Sequence, residues 1–312
     1  MKGSYSFVLA LLSCAPTAVL ANSLASNNVR VASQTSSKQV STSNSSPNIS
    51  SASAAFRLPT DSGSYNPHVK SRVTTCIACS LTWSSNANIP SEATEVTEIQ
   101  ALSSWEGTQD SGGGSGSASG TTGTVSAPSL TGNAREFETS FVSSGDERFY
   151  VSFGADTDAA HFVYDGWVYI ASPSNDLANL EMDMNQVMAN GQTVIFGVQC
   201  DGYSGTWDYT ANEGTPENPS DVWLHSTAAC NPRNWSTNAW HHVQTSYSRD
   251  DAGNVTYESV WLDGAEQSLN ATVPSAFALG WSSTLLTNFQ VDGLGTSGST
   301  TVYLDNLNIY RW

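Results

Sequence analysis

Residues 240–268 read WHHVQTSYSRDDAGNVTYESVWLDGAEQS, and this stretch limits the fold more than any other. Polar and apolar residues alternate in three runs, separated by Asp251-Ala252-Gly253-Asn254 and by Asp263-Gly264. Alternation with period two marks half-buried strands, and Asp-Gly between two such runs marks a tight hairpin. The stretch is an antiparallel meander. TTVYLDNLNIYRW closes the chain in the same pattern, and FETSFV, RFYVSFG, HFVYDGWVYIAS, NLEMDMNQVM and TVIFGVQC precede it. Helical periodicity is confined to a turn expected after Pro216. From Glu95 to Trp312, a span that holds nine of the ten Trp residues, the expectation is one all-β domain, an antiparallel β-sandwich. Asp110–Ser126, rich in Gly and Ser, is expected to be a loop.

The N-terminal third has a different character. Lys2, an apolar run from Phe7 to Leu12 and Val-Leu-Ala ending at Ala21 form the layout of a secretory signal peptide spanning residues 1–21. An alternative processing route makes Cys14 a lipidated first residue. Residues 22–64 are Ser, Asn, Thr and Ala with almost no aromatics, which cannot bury enough apolar surface to fold, so a disordered N-terminal spacer is expected. Residues 65–94 form a transition to the sandwich. No integral membrane span is expected, since no later run approaches the ~18 apolar residues a spanning helix needs.

In an exported chain the cysteines at 76, 79, 200 and 230 point to disulfides, with Cys76–Cys79 and Cys200–Cys230 the expected pairs. A zinc site or a dithiol switch at Cys76-Ile-Ala-Cys79 is the alternative. Five sequons occur, at Asn44, Asn48, Asn234, Asn254 and Asn270.

Charge narrows the partners. The whole chain carries −17, and from Glu95 onward 26 acids face five arginines, a balance of −21. Such a surface repels nucleic acid and anionic membranes. It also weighs against lyases of uronate polymers, which need cations to neutralise carboxylates. A neutral polysaccharide or cell-wall glycan is the expected partner.

Trp240-His241-His242-Val243 followed by the hairpin into VWLDG is similar to strands of laminin-G-like and concanavalin-type jelly rolls, and VYLDNLNIY resembles the last strand of carbohydrate-binding modules. ALSSWEG, LEMDMNQ and FGVQCDGYSGTWDY resemble a group of exported bacterial proteins, which implies no activity. Glu181-Met182-Asp183-Met184-Asn185-Gln186 resembles the E-x-D-x-x-E signature of laminarinase and lichenase-type glucanases. There the first Glu is the nucleophile, the Asp tunes it and the last Glu is the acid/base. Gln186 replaces that last acid, and an amide cannot protonate a leaving oxygen.

Three uses of this row stay open: hydrolysis by Glu181 with Asp183, recognition of a glycan, or a solvated strand. For recognition on the concave sheet, Glu181, Asp183, Asn185 and Gln186 supply polar contacts. Trp207 or Trp223 supplies stacking, with Trp167, Tyr169, Tyr209 and Trp281 as further aromatic candidates. The stapled stretch Gln199–Tyr209 is a candidate rim. His225 or Tyr209 would serve a lyase, and His161 is another candidate for proton transfer. His241 and His242, adjacent on a strand, point to opposite faces and cannot share a site. No cofactor is required, and a structural calcium at Asp305 is expected only from the resemblance to carbohydrate-binding jelly rolls.

Overall fold

The computed structural model describes residues 86–110 and 116–312. The signal peptide, the spacer, Cys14, Cys76 and Cys79 lie outside the described residues. In chain order the strands are β1 Thr94–Val96, β2 Glu106–Asp110, β3 Ser117–Val125, β4 Ala134–Val142, β5 Asp146–Gly154, β6 His161–Ile170, β7 Leu177–Val187, β8 Thr193–Phe196 and β9 Val198–Asp201. They continue as β10 Thr206–Asn212, β11 Asp221–Ala229, β12 Trp240–Arg249, β13 Asn254–Leu262, β14 Ala265–Pro274, β15 Ala276–Phe277, β16 Leu285–Gly293 and β17 Gly298–Arg311. Single 3-10 turns at Ile99–Ala101 and Pro232–Asn234 are the helical content of the described residues. The turn expected after Pro216 is instead a bridge between Thr215 and Asn218.

The strands form two antiparallel sheets. The first runs β14-β13-β12-β6-β17-β4-β3, with β1 added to β17. The second runs β11-β10-β9-β7-β16-β5-β2, with β8 on β7 and β15 on β8. β4 and β5, β6 and β7, and β16 and β17 hold matching places in the two orders and follow each other in the chain. The chain therefore crosses the sandwich at each of these links, which is jelly-roll connectivity.

Alternation decides which side chains meet between the sheets. Phe137 and Phe141 of β4 are buried while Glu138 and Ser140 are exposed. Phe137 lies 4.8 Å from Phe149 and 4.9 Å from Phe289, ring centre to ring centre, joining one sheet to the other. The expected meander is present as β12-β13-β14, and its hairpin turns at Asp263 (φ 51°) and Gly264 (φ 82°), the left-handed pair a two-residue loop requires. Cys200 and Cys230 form the expected disulfide, with Cα atoms 5.2 Å apart.

Two expectations change. Ser117–Val125, expected within a loop, is an edge strand paired with β4 along its whole length. Ser, Thr and Gly suit it because its inner side is crowded: a Cβ on Gly120 would stand 2.5 Å from the Phe149 ring. The folded region also begins before Glu95, since Ala87 packs with Val163 and Trp261, and the Asn86 N–H donates to Gln244 at 2.9 Å.

Candidate functional site: a polar band across the second sheet

On β7 the side chains divide by parity. Leu180, Met182 and Met184 enter the core, so Glu181, Asp183 and Asn185 face outward. Register then carries this outward face across the sheet. Thr108, Arg148, Gln290, Glu181, Gln199, Asp208 and His225 are successive partners on β2, β5, β16, β7, β9, β10 and β11. Every member of the row is polar. A second row beside it holds Asp110, Asp146, Asp292, Asn179 and Asp201, and a third holds Glu106, Tyr150, Asn288 and Asp183.

These side chains stand edge to edge. Arg148 Nε donates to Gln290 Oε1 at 3.0 Å, and Gln290 Nε2 donates to Glu181 Oε1 at 2.7 Å. Arg148 also pairs with Asp110. Asn288 Nδ2 donates to Asp183 Oδ2 at 3.0 Å, while the Val198 N–H donates to its other oxygen at 3.1 Å. The central members are nearly closed to water, with Glu181 2 %, Gln199 3 % and Gln290 0 % exposed. A ligand would meet a continuous polar floor rather than projecting arms.

Burial sets the protonation of this floor. Glu181 is pushed well above the ordinary carboxylate range by burial and by the charges of Asp292 and Asp183. Asp292 is raised likewise by burial and by Asp146. Asp146 rises to about 7 through burial and Asp110, and Asp183 to about 6 through burial. The band therefore carries fewer charges at neutral pH than its acids suggest.

At its far end the row reaches water. His225, half-exposed, bonds through Nδ1 to Asp208 at 2.7 Å, and partly buried Trp223 lies two residues away on the same strand. Asp201, Asp208 and His225 each place a ligand atom within 4.8 Å of the others. The carboxylate oxygens already accept hydrogen bonds: Thr206 Oγ1 donates to Asp208 at 2.6 Å, and the N–H groups of Tyr203 and Ser204 donate to Asp201 at 2.6 and 3.1 Å. Three ligand atoms also fall short of the six to eight oxygens calcium takes.

Four expected site residues lie elsewhere. Gln186 shares the parity of Met184 and points between the sheets, where Nε2 donates to the carbonyls of Asp156 and Ala159 at 2.8 and 2.9 Å and Oε1 accepts from Arg249 at 2.6 Å. It fastens one sheet to a loop and to the other sheet. Trp207 is fully buried beside Trp235 and offers no face to a sugar. Tyr209 packs on the core with its ring 5.0 Å from Tyr257. Asp305 is fully buried and accepts from Ser129 Oγ (2.7 Å), Thr131 Oγ1 (2.7 Å) and the Asn306 N–H (2.8 Å), among others, so its oxygens tie down a loop and leave little for calcium. His241 and His242 do face apart: the first bonds Asp263 at 2.8 Å, the second Asp165 at 2.7 Å while stacking on Trp167. His161 stacks on Trp312.

The inward Gln186 yields a direct test of the glucanase resemblance. Gln186→Glu restores the sequence signature, yet it should produce no glycanase activity and should instead form an ion pair with Arg249. Release of reducing ends from laminarin or lichenan by this variant would contradict the assignment.

Gln199, the first residue of the candidate rim, joins the band, whereas Arg148, Asn288, Gln290 and Asp292 are site residues that the motifs do not mark. LTNFQVDG, the source of three of them, alternates just as NLEMDMNQVM does, and that signal was present in the sequence.

No family model matches the chain, and no curated protein matches it in sequence. Among solved structures it is similar to a protein from a study of the promiscuous specificity of carbohydrate-binding modules of the β-sandwich superfamily (10 % identity, TM-score 0.37, 67 % of this chain and 57 % of that one). It is also similar to arcelin-5, a lectin-like defense protein from Phaseolus vulgaris (13 %, 0.39, 70 % and 98 %). A third is the family 11 carbohydrate-binding module of Clostridium thermocellum, solved with a β-1,3-1,4-mixed-linked tetrasaccharide (11 %, 0.29, 70 % and 94 %). The chain thus spans little more than half of the first of these. These superpositions are loose, and the site is defined by this chain's own side chains.

Proposed function

We propose that this is an exported carbohydrate-recognition protein that binds a neutral polysaccharide along the outward face of the second sheet. The observation that carries this reading is the unbroken polar row from Thr108 to His225. Amides and carboxyls in such a row pair with vicinal sugar hydroxyls, and Trp223 beside His225 is placed to stack on a ring at one end. The raised carboxyls, held partly neutral, act as hydrogen-bond donors as well as acceptors. An anionic glycan would meet eight acids in the band and one guanidinium, that of Arg148.

One observation favours a second reading. Glu181 and Asp183 share a face and are raised to different extents, the condition for one acid and one base. In a hydrolase Glu181 would give the proton and Asp183 would activate water or attack.

The test is a panel of soluble neutral and uronic polysaccharides run against the full chain, following retardation in affinity gels and the release of reducing ends. Retardation by a neutral glycan without product is expected. Reducing ends that vanish in Glu181→Gln would establish the hydrolase reading, and binding confined to uronic polymers would overturn both.

A further inference from the structure

β14 is the last strand of its sheet, and among the described residues no strand is hydrogen-bonded to its far edge. An open edge of this kind presents unpaired N–H and C=O groups that template pairing with another chain. Two features interrupt it at one place. Tyr257 pairs with Ala271 and Ser259 with Ser268, so two steps on β13 span three on β14, and β14 carries one extra residue. Asn270 sits in this bulge with φ 49°, in the left-handed region that Asn adopts more readily than most residues. It also begins the sequon Asn270-Ala271-Thr272.

The side chain is placed for modification. Asn270 is exposed, and its amide makes no hydrogen bond among the described residues. The neighbouring sequons differ. Asn254 uses Nδ2 to donate to Asp250 at 2.7 Å inside a turn. Asn234 is exposed, but its sequon runs through Trp235, buried beside Trp207. Asn44 and Asn48 lie outside the described residues.

We propose that Asn270 is N-glycosylated and that the glycan guards the open edge of β14. The co-substrate class is an oligosaccharide on a polyprenyl pyrophosphate. Asn270 Nδ2 forms a bond to C1 of the first sugar, the C1–O bond to the pyrophosphate breaks, the lipid pyrophosphate leaves, and the amide gives up one proton. Nothing is oxidised or reduced. A bulky hydrated group at the bulge blocks the approach of a second strand along the edge. This inference rests on export of the chain and is independent of what the second sheet binds.

The test is secretion of the full chain from a eukaryotic host, once with its own leader and once behind a host leader, followed by peptide mass spectrometry before and after N-glycosidase. The expected result is a glycan on the Asn270 peptide in most molecules. Asn270→Asp, which keeps the tolerance for left-handed backbone, and Thr272→Ala, which leaves Asn270 in place, should each remove one glycan. Each should also raise the self-associated fraction in light scattering about fivefold, in line with an unguarded edge. A bare Asn270 in protein secreted behind the host leader would overturn the site. Occupancy without a change in self-association in either variant would overturn the guarding role. Failure only with the native leader would count against export alone.

Discussion

Raising the pH from about 5 to about 8 is expected to destabilise the sandwich, with a fall in Tm on the order of 10 °C. The carboxyls of the band are the cause. Asp146 at about 7, Asp183 at about 6, and Glu181 and Asp292, both pushed well above the ordinary carboxylate range by burial, bind protons in the folded state that they release at about 4 when unfolded. The folded state holds more protons, so stability is present in full below the unfolded values and is lost as pH rises through the folded ones. Asp146 alone, raised from 3.8 to about 7, corresponds to on the order of 4 kcal/mol. Asp156 runs the other way: against the burial that raises it, the Ala159 N–H and Arg311 hold it low, but its titration is over before this window opens. Asp292→Asn should flatten the slope, raising Tm at the alkaline end and changing it little at the acid end. A Tm that climbs steadily from acid to alkaline pH would contradict the protonated floor.

Trp207→Ala should cost about 3–5 kcal/mol, the range for deleting a large buried ring. Trp207 is fully buried in the second sheet, and its register partner is Cys200 of the disulfide. Urea unfolding should show a large drop in midpoint, while the variant that still folds should bind glycan as the parent does. A variant of unchanged stability that has lost binding would return Trp207 to the ligand face.

The architecture was legible where side chains alternate and turns are explicit. WHHVQTSYSR and its two hairpins fixed β12 to β14, and NLEMDMNQVM gave the faces of Glu181, Asp183 and Asn185 correctly. The same alternation placed Gln186 on the core side, but the resemblance to E-x-D-x-x-E drew it to the wrong face. β3 escaped because an edge strand of Ser, Thr and Gly buries too little apolar surface to leave a periodic mark. Trp207 could not be assigned from its neighbours, because a Trp beside small and polar residues reads as a surface ring until the register shows which way it points. The band itself was illegible for a different reason: its row joins residues from Thr108 to Gln290, and only strand order brings them together.

The central claim is that glycan lies along the outward face of the second sheet. The most direct measurement is the affinity of the full chain for the neutral polysaccharide that binds in the panel, comparing Gln199→Ala in the band with Glu138→Ala on the outward face of the first sheet. Gln199 is the partner of Glu181 and Asp208, while Glu138 is exposed on β4. The account predicts that Gln199→Ala, in protein that circular dichroism shows to be folded, weakens binding about tenfold or more, on the order of 1.4 kcal/mol, and that Glu138→Ala leaves affinity unchanged. Equal affinity for the parent and Gln199→Ala, or a loss caused by Glu138→Ala alone, would contradict it.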